Sequence, residues 1–167
     1  MIERIAIKEN RPFPNNTLPV LYYPHAFKEI IEKENAVDLI QSHFKKNGYT
    51  NSWVNGIYAY HHFHATTHEV LACFKGSATV QLGGPGGEVH PFTEGNVLLL
   101  PAGVAHKLIE ATGDFQIVGA YPNGNSPDME KGDSKEYEEL LHKIQKVPFP
   151  ECDPVGGRNL GVHEYWK

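Results

Sequence analysis

Apolar residues in this chain recur in two rhythms: short alternating or unbroken runs typical of strands, and helical-period stripes on either side of them. Ile2-Glu3-Arg4-Ile5-Ala6-Ile7 alternates and predicts a strand, after which Pro12, Pro14 and Asn15-Asn16 predict a turn-rich loop. Leu18-Pro19-Val20-Leu21-Tyr22-Tyr23 predicts a short edge strand, because its proline cannot donate to a ladder. Between residues 26 and 47 the chain is expected to be helical in two pieces. Ala36, Val37, Ile40 and Phe44 form the stripe, and Gly48 is placed to end it. Asn51 to Ala72 opens a series of strands, with Trp53 expected as a core or lid aromatic. Ser77 to Leu82, Glu88 to Phe92, Val97 to Leu100, Lys107 to Glu110 and Phe115 to Tyr121 continue it. The polar run PNGNSPDMEKGD then ends the strands. Asp133 with Glu136 gives a capping-box signal ahead of a stripe of Tyr137, Leu140, Leu141 and Ile144, and Val162 to Trp166 reads as a last strand-like piece. Many short strands with a helix on either side predict a mostly β fold, a small antiparallel barrel.

Composition narrows the function classes. At 167 residues the chain fits one domain with a real core. A net charge of −5, with Lys45-Lys46 the densest basic spot, speaks against a nucleic-acid surface. No apolar run reaches membrane-spanning length, and Met1-Ile2-Glu3 lacks the pattern of a signal peptide. Cys73 and Cys152 do not make a disulfide framework, so a cytoplasmic protein with free thiols is expected.

The chemistry is concentrated in one stretch. Four histidines fall within His61–His68, Glu69 follows at once, and His106 comes just past the turn Pro101-Ala102-Gly103. On a strand His62 and His64 share a face, with His61 on the other. Two imidazoles, a carboxylate a corner later and a third imidazole from a distant strand can close around one divalent ion. Such a set suits Fe(II), Mn(II), Ni(II), Co(II) or Zn(II), and without a thiolate it is unlike a structural zinc site. An octahedral ion held this way keeps two positions open. His68 is the competing ligand; in a regular strand it faces away, and only a corner or bulge turns it inward. His25, His43, His90 and His142 lack partners of the right kind and are expected to be structural or at the surface. Tyr58 and Tyr60 share parity with His62 and His64. Tyr60 is a candidate acid or hydrogen-bond donor, whereas Tyr58 is expected mainly to pack. Glu110 has the parity of His106, so a regular strand points it inward, where it can act as a general base or support a ligand. Cys73 shares the parity of Glu69 and is expected as a buried, unreactive thiol. The glycine run 83–87 lacks the Lys-Ser/Thr of a phosphate cradle and reads as a hairpin turn. The only arginines are Arg4, Arg11 and Arg158, none in the barrel strands. That disfavours bidentate capture of a carboxylate and leaves a neutral or metal-chelated ligand.

The same residues carry a family resemblance. Gly56, His62, His64, Glu69 and Gly76 fit the first cupin motif, G-x5-H-x-H-x4-E-x6-G, and Gly95, Pro101, Gly103 and His106 fit the second, G-x5-P-x-G-x2-H. The asparagine that usually follows the last histidine by four residues is here Glu110. The flanks NSWVNGIY, VGAYPNG and DPVGG resemble the YjlB-like group of small single-domain bacterial cupins. The resemblance implies one jelly-roll domain over 1–167, with its barrel core at about 53–122, an N-terminal extension over 1–52 and a C-terminal helix and tail over 123–167. It implies metal ligands His62, His64, Glu69 and His106, with Glu110 and Tyr60 as candidate catalytic groups, and by analogy a homodimer formed through the N-terminal strand. Its function classes are a mononuclear metal oxidoreductase of dioxygenase type with Fe(II), a metal-assisted isomerase or lyase on a small sugar or keto acid, and a non-catalytic binder of a small ligand. No helix-turn-helix signal or basic surface accompanies the barrel, which disfavours a DNA-binding regulator.

Overall fold

In the strand Glu69–Lys75 alternate side chains point to opposite faces, and both faces are buried. That requires a layer on each side of it, and the computed structural model, which describes residues 1–167, supplies both. The elements in order are β1 (Glu3–Ile7), β2 (Asn16–Tyr23), α1 (Ala36–Lys46), β3 (Tyr49–Asn55), β4 (Glu69–Lys75) and β5 (Ser77–Leu82). They continue with β6 (Val89–Thr93), β7 (Val97–Leu100), β8 (His106–Ala111), β9 (Gln116–Pro122), α2 (Tyr137–Gln145) and α3 (Val162–Tyr165). A six-stranded antiparallel sheet runs β1-β2-β7-β4-β9-β3, and a three-stranded one runs β6-β5-β8. Leu71 and Cys73 of β4 pack between the sheets with Val80, Leu82, Phe92, Leu98 and Ile117. Val70 and Ala72 pack on the outer face against Ile40 and Phe44 of α1 and against Trp166. Leu98, Leu99 and Leu100 are all essentially without exposure, each contributing about 2 kcal/mol by burial. This accounts for β7 reading as an unbroken apolar run. The architecture is mostly β, a cupin-type jelly roll with flanking helices.

Two expectations are corrected. Leu18 to Tyr23 is not at an edge: β2 lies between β1 and β7, and β1 is the outermost strand. Pro19 is accommodated because the β1–β2 register shifts between Ile5 and Ile7, while pairing to β7 begins only at Leu21. Val162 to Tyr165 is a helical turn rather than a strand, since the Glu164 and Tyr165 N–H groups fold back onto the Gly161 carbonyl. Helix formation around α1 does come in two pieces, a 3-10 turn at Ile30–Glu32 and α1 itself. Between β3 and β4, residues 56–68 form no regular strand and are pinned by single bridges, His62 to His106 and Phe63 to Glu130. No helix is long and apolar enough to cross a membrane.

Candidate metal centre

His62 and His106 exchange backbone hydrogen bonds, His62 N–H to His106 O at 3.2 Å and His106 N–H to His62 O at 2.9 Å. This clasp sets their rings 4.1 Å apart, with the His64 ring 6.0 Å from His62 and 5.7 Å from His106. The turn before His106 needs Gly103. Its φ of +90° lies in the left-handed region, and an added Cβ would sit 2.5 Å from the Asn15 carbonyl oxygen and 2.7 Å from Ile144 Cδ1. The Gly103 N–H in turn donates to His64 O at 2.7 Å, tying the two motif halves together.

Each imidazole is held through Nδ1 by a backbone carbonyl. His62 Nδ1 is 2.9 Å from Tyr60 O, His64 Nδ1 2.5 Å from Asp128 O, and His106 Nδ1 3.0 Å from Val104 O. One proton of each ring therefore belongs on Nδ1, and Nε2 is the inward-facing atom available to an ion once it carries no proton of its own. Glu69, first residue of β4, brings Oε1 to 3.4 Å from His64 Nε2 and 3.5 Å from His106 Nε2. All four side chains are at least nine-tenths buried, and the ligand atoms of the three histidines lie within 4.8 Å of one another. Nitrogen ligands about 2.1 Å from an ion sit roughly 3.0–3.4 Å apart, so the three rings would draw slightly closer around a divalent cation.

Electrostatics give the same picture. Burial and the neighbouring His106 push His62 down to about 3. Burial would also lower His64, but the Glu69 carboxylate outweighs it and holds His64 up at about 9. Burial would raise Glu69, yet the two histidines hold it well below the usual carboxylate range. A buried carboxylate among imidazoles requires positive charge beside it. The proton on His64 supplies it in the metal-free protein, and a divalent ion would supply it in the loaded one.

The cluster forms one wall of a cavity of about 420 Å³ lined also by Trp53, Ile57, Tyr58, Leu71, Ile117, Tyr121, Asp128 and Met129. Trp53 Nε1 donates to the Tyr121 hydroxyl at 2.8 Å, and burial and the Glu69 carboxylate raise that phenol. The indole lies flat on β9 because residue 119 is glycine; a Cβ there would be 2.3 Å from the ring. Asp128 holds the loop around His64. Its Oδ1 accepts from the N–H groups of Ala65 at 2.8 Å and Thr66 at 3.0 Å, and from Thr66 Oγ1 at 2.9 Å.

Sequence pattern alone missed Tyr121 and Asp128. Gly119 within a strand was the one local signal that a ring approaches there; Asp128 had none, since it reaches His64 from a polar loop.

The remaining candidates lie elsewhere. Glu110 is exposed on β8 and does not line the cavity. A bulge is the reason. Val80 pairs with Leu108 but Thr79 pairs with Glu110, so one extra residue, Ile109, reverses the parity that begins at His106. Tyr60 sits outside the cavity lining, stacked on Tyr58 at 5.0 Å under the Lys131 ammonium, and Tyr58 is the tyrosine that reaches the wall. Cys73 points into the core, its thiol pushed up to about 12 by burial.

His68 is buried with both nitrogens engaged: Nδ1 accepts from Ala102 N–H at 2.9 Å and Nε2 donates to Pro148 O at 3.2 Å. It stands apart from the cluster of three. Burial lowers it to about 4. The unfolded chain takes up this proton near pH 6.5 and the folded chain resists until about 4, so stability should fall as pH drops through that window, by up to ~3 kcal/mol. Denaturant titrations of the wild type and His68→Gln at pH 7.5 and 4.5 measure it. Equal losses in both proteins would remove His68 as the source.

No protein-family model matches the chain. The uncharacterized protein YjlB of Bacillus subtilis is 36% identical over 154 residues, covering 92% of this chain and 89% of that one. Among solved structures, acireductone dioxygenase from Bacillus anthracis, with a cadmium ion in its active centre, is 17% identical at a TM-score of 0.40, over 65% of this chain and 82% of its own. The QdtA 3,4-ketoisomerase of Thermoanaerobacterium thermosaccharolyticum, in complex with TDP, is 18% identical at a TM-score of 0.40, over 55% and 65% respectively. The structural likenesses are partial. The sequence likeness runs through nearly the whole of both chains, and with both motif halves framed by two facing antiparallel sheets, the chain belongs to the YjlB group of the cupin superfamily.

Proposed function

We propose that this cupin is a mononuclear metal enzyme, an oxidoreductase of dioxygenase type that acts on a small molecule. The observation that supports it is the convergence of three imidazole nitrogens and one carboxylate on a single wall of a mostly apolar cavity, with the rest of the cavity facing them. His62, His64, Glu69 and His106 would hold the ion, and Fe(II) suits three nitrogens and an oxygen; Mn, Ni, Co or Zn are the other candidates. Bound iron supplies one-electron and dioxygen chemistry. The chain does the rest: backbone carbonyls orient the imidazoles, apolar walls exclude water, and the Trp53–Tyr121 pair fixes the floor next to Glu69. The protein is cytoplasmic in this proposal, and a homodimer through the outermost strand β1, whose free edge can pair with a second copy.

One observation favours a second reading, a metal-assisted isomerase or lyase. Glu130 stands beside Asp128, and burial together with that carboxylate pushes it up to about 7. A carboxyl group held near neutrality beside the cavity-lining Asp128 suits proton transfer between neighbouring carbons.

Elemental analysis of tag-free protein purified without chelator, beside the His62→Ala/His106→Ala double variant, tests the assignment. Near-stoichiometric iron lost in the variant, with oxygen consumed alongside a substrate, is the expected result. Turnover without oxygen would move the assignment to the second reading. Equal metal content in both proteins would overturn both.

A further inference from the structure

We infer that this cavity takes a largely apolar molecule, aromatic or branched, that reaches the metal through a neutral or singly ionised pair of oxygens, and that it rejects dianionic and phosphorylated ligands. This rests on the metal-centre reading above and adds the class of ligand to it.

The walls set the body of the ligand. Trp53, Ile57, Leu71 and Ile117 line the cavity, and Tyr58 and Met129 carry the apolar surface out to the mouth, where both are exposed. A volume of about 420 Å³ suits a compact molecule rather than a nucleotide conjugate. Exposed apolar side chains at the mouth would be an unexplained feature for a polar substrate, but they extend the contact surface for an apolar one.

Charge sets the head. A divalent ion with Glu69 leaves one net positive charge, and a singly ionised head neutralises it. Asp128 also lines the cavity, its Oδ2 without a hydrogen-bond partner, so a second negative charge on the ligand would add to an uncompensated carboxylate. No lysine or arginine lines the cavity. Arg11 is committed to Glu138, Arg158 to Glu151, and Arg4 lies over the Tyr165 ring. The nearby Lys131 sits over the Tyr60 ring, outside the lining. Burying an unpaired charge in such a place is strongly unfavourable, so exclusion follows from the wall and not from size alone.

Calorimetric titration of the Zn(II)-loaded full chain under nitrogen, with the fluorescence of Trp53 as a second signal, tests this. The probes are catechol, 4-tert-butylcatechol, oxalate and inorganic pyrophosphate. The tert-butyl compound is expected to bind at least about tenfold tighter than catechol, since its added carbons enter the apolar part. Oxalate and pyrophosphate are expected to bind at least tenfold more weakly than catechol. Met129→Lys places a cation at the exposed mouth without touching the core. It should raise oxalate affinity severalfold and reduce the tert-butyl advantage. Oxalate binding as tightly as 4-tert-butylcatechol in the wild type, with zinc retained, would overturn the ligand class and leave the metal centre standing. Failure to retain zinc at all would overturn both.

Discussion

Alanine in place of His106 is expected to weaken binding of a divalent ion by at least ~100-fold. Structural zinc sites gain roughly 10–16 kcal/mol from four ligands, so one ligand is worth about 3 kcal/mol or more. The loss at this position is compounded by its neighbours. His106 is one of two histidines facing Glu69, and its removal leaves that buried carboxylate dependent on His64 alone. Competition against a chelator of known affinity gives the number, with circular dichroism to verify the fold. An affinity within threefold of wild type would remove His106 from the site. Proton release is a second readout of the same experiment. His64 is held up at about 9 in the metal-free protein, and a ligand imidazole must give up its inward-facing proton. Below that value affinity should fall about tenfold for each pH unit lost, with about one proton leaving per ion bound at pH 7.5.

Asp153→Ala is expected to cost about 3–5 kcal/mol of stability, a large effect for a residue far from the histidine cluster. Asp153 has no exposure, and its carboxylate accepts four hydrogen bonds. Oδ1 takes the N–H groups of Val155 and Gly156, both at 2.9 Å, while Oδ2 takes Val162 N–H at 3.1 Å and the Tyr23 hydroxyl at 2.5 Å. Gly161 passes so close that a Cβ there would overlap Oδ2. One side chain thus fastens the C-terminal tail to β2. Alanine would leave one buried and two half-buried N–H groups and a buried phenol without acceptors, whereas Asp153→Asn keeps one acceptor oxygen and should lose less. Denaturant unfolding with intrinsic fluorescence measures both. A loss below 1 kcal/mol in Asp153→Ala would show that water or a shifted backbone satisfies those donors.

The parts of this fold that could be read from the chain are those encoded within a few residues. The strands from Ser77 onwards, both long helices and the spacing of His62, His64, Glu69 and His106 depend on local periodicity and on glycines such as Gly103. What escaped depends on register. Glu110 was expected to face inward because parity from His106 points there, and a single bulged residue, Ile109, reverses it. Pro19 marked an edge by a sound rule, but the slip between β1 and β2 spares the missing donor and moves the edge to β1. Val162 to Tyr165 has an apolar, strand-like look, yet the Gly161 carbonyl gathers its N–H groups into a turn. Tyr58 and Tyr60 were ranked by alternation in a segment that forms no strand, so their order was inverted. Asp128 is beyond any such argument, because its contact with His64 spans more than sixty residues of sequence.

That last contact bears on how the protein meets its metal in a cell. The imidazole of His64 takes its orientation from the Asp128 carbonyl, and the backbone of His62 is clasped by that of His106. A nascent chain that has emerged from the ribosome as far as Glu69 already carries three of the four proposed donor residues and the Tyr60 carbonyl beside His62, but neither the Asp128 carbonyl that aims His64 nor the His106 backbone that clasps His62. The coordinating geometry comes into being only after translation has passed residue 128 and the two sheets have closed. In the proposed metal enzyme, the choice of ion would therefore fall to an already folded polypeptide sampling the exchangeable ion pool, and the bound ion would reflect what that pool offers to the finished fold.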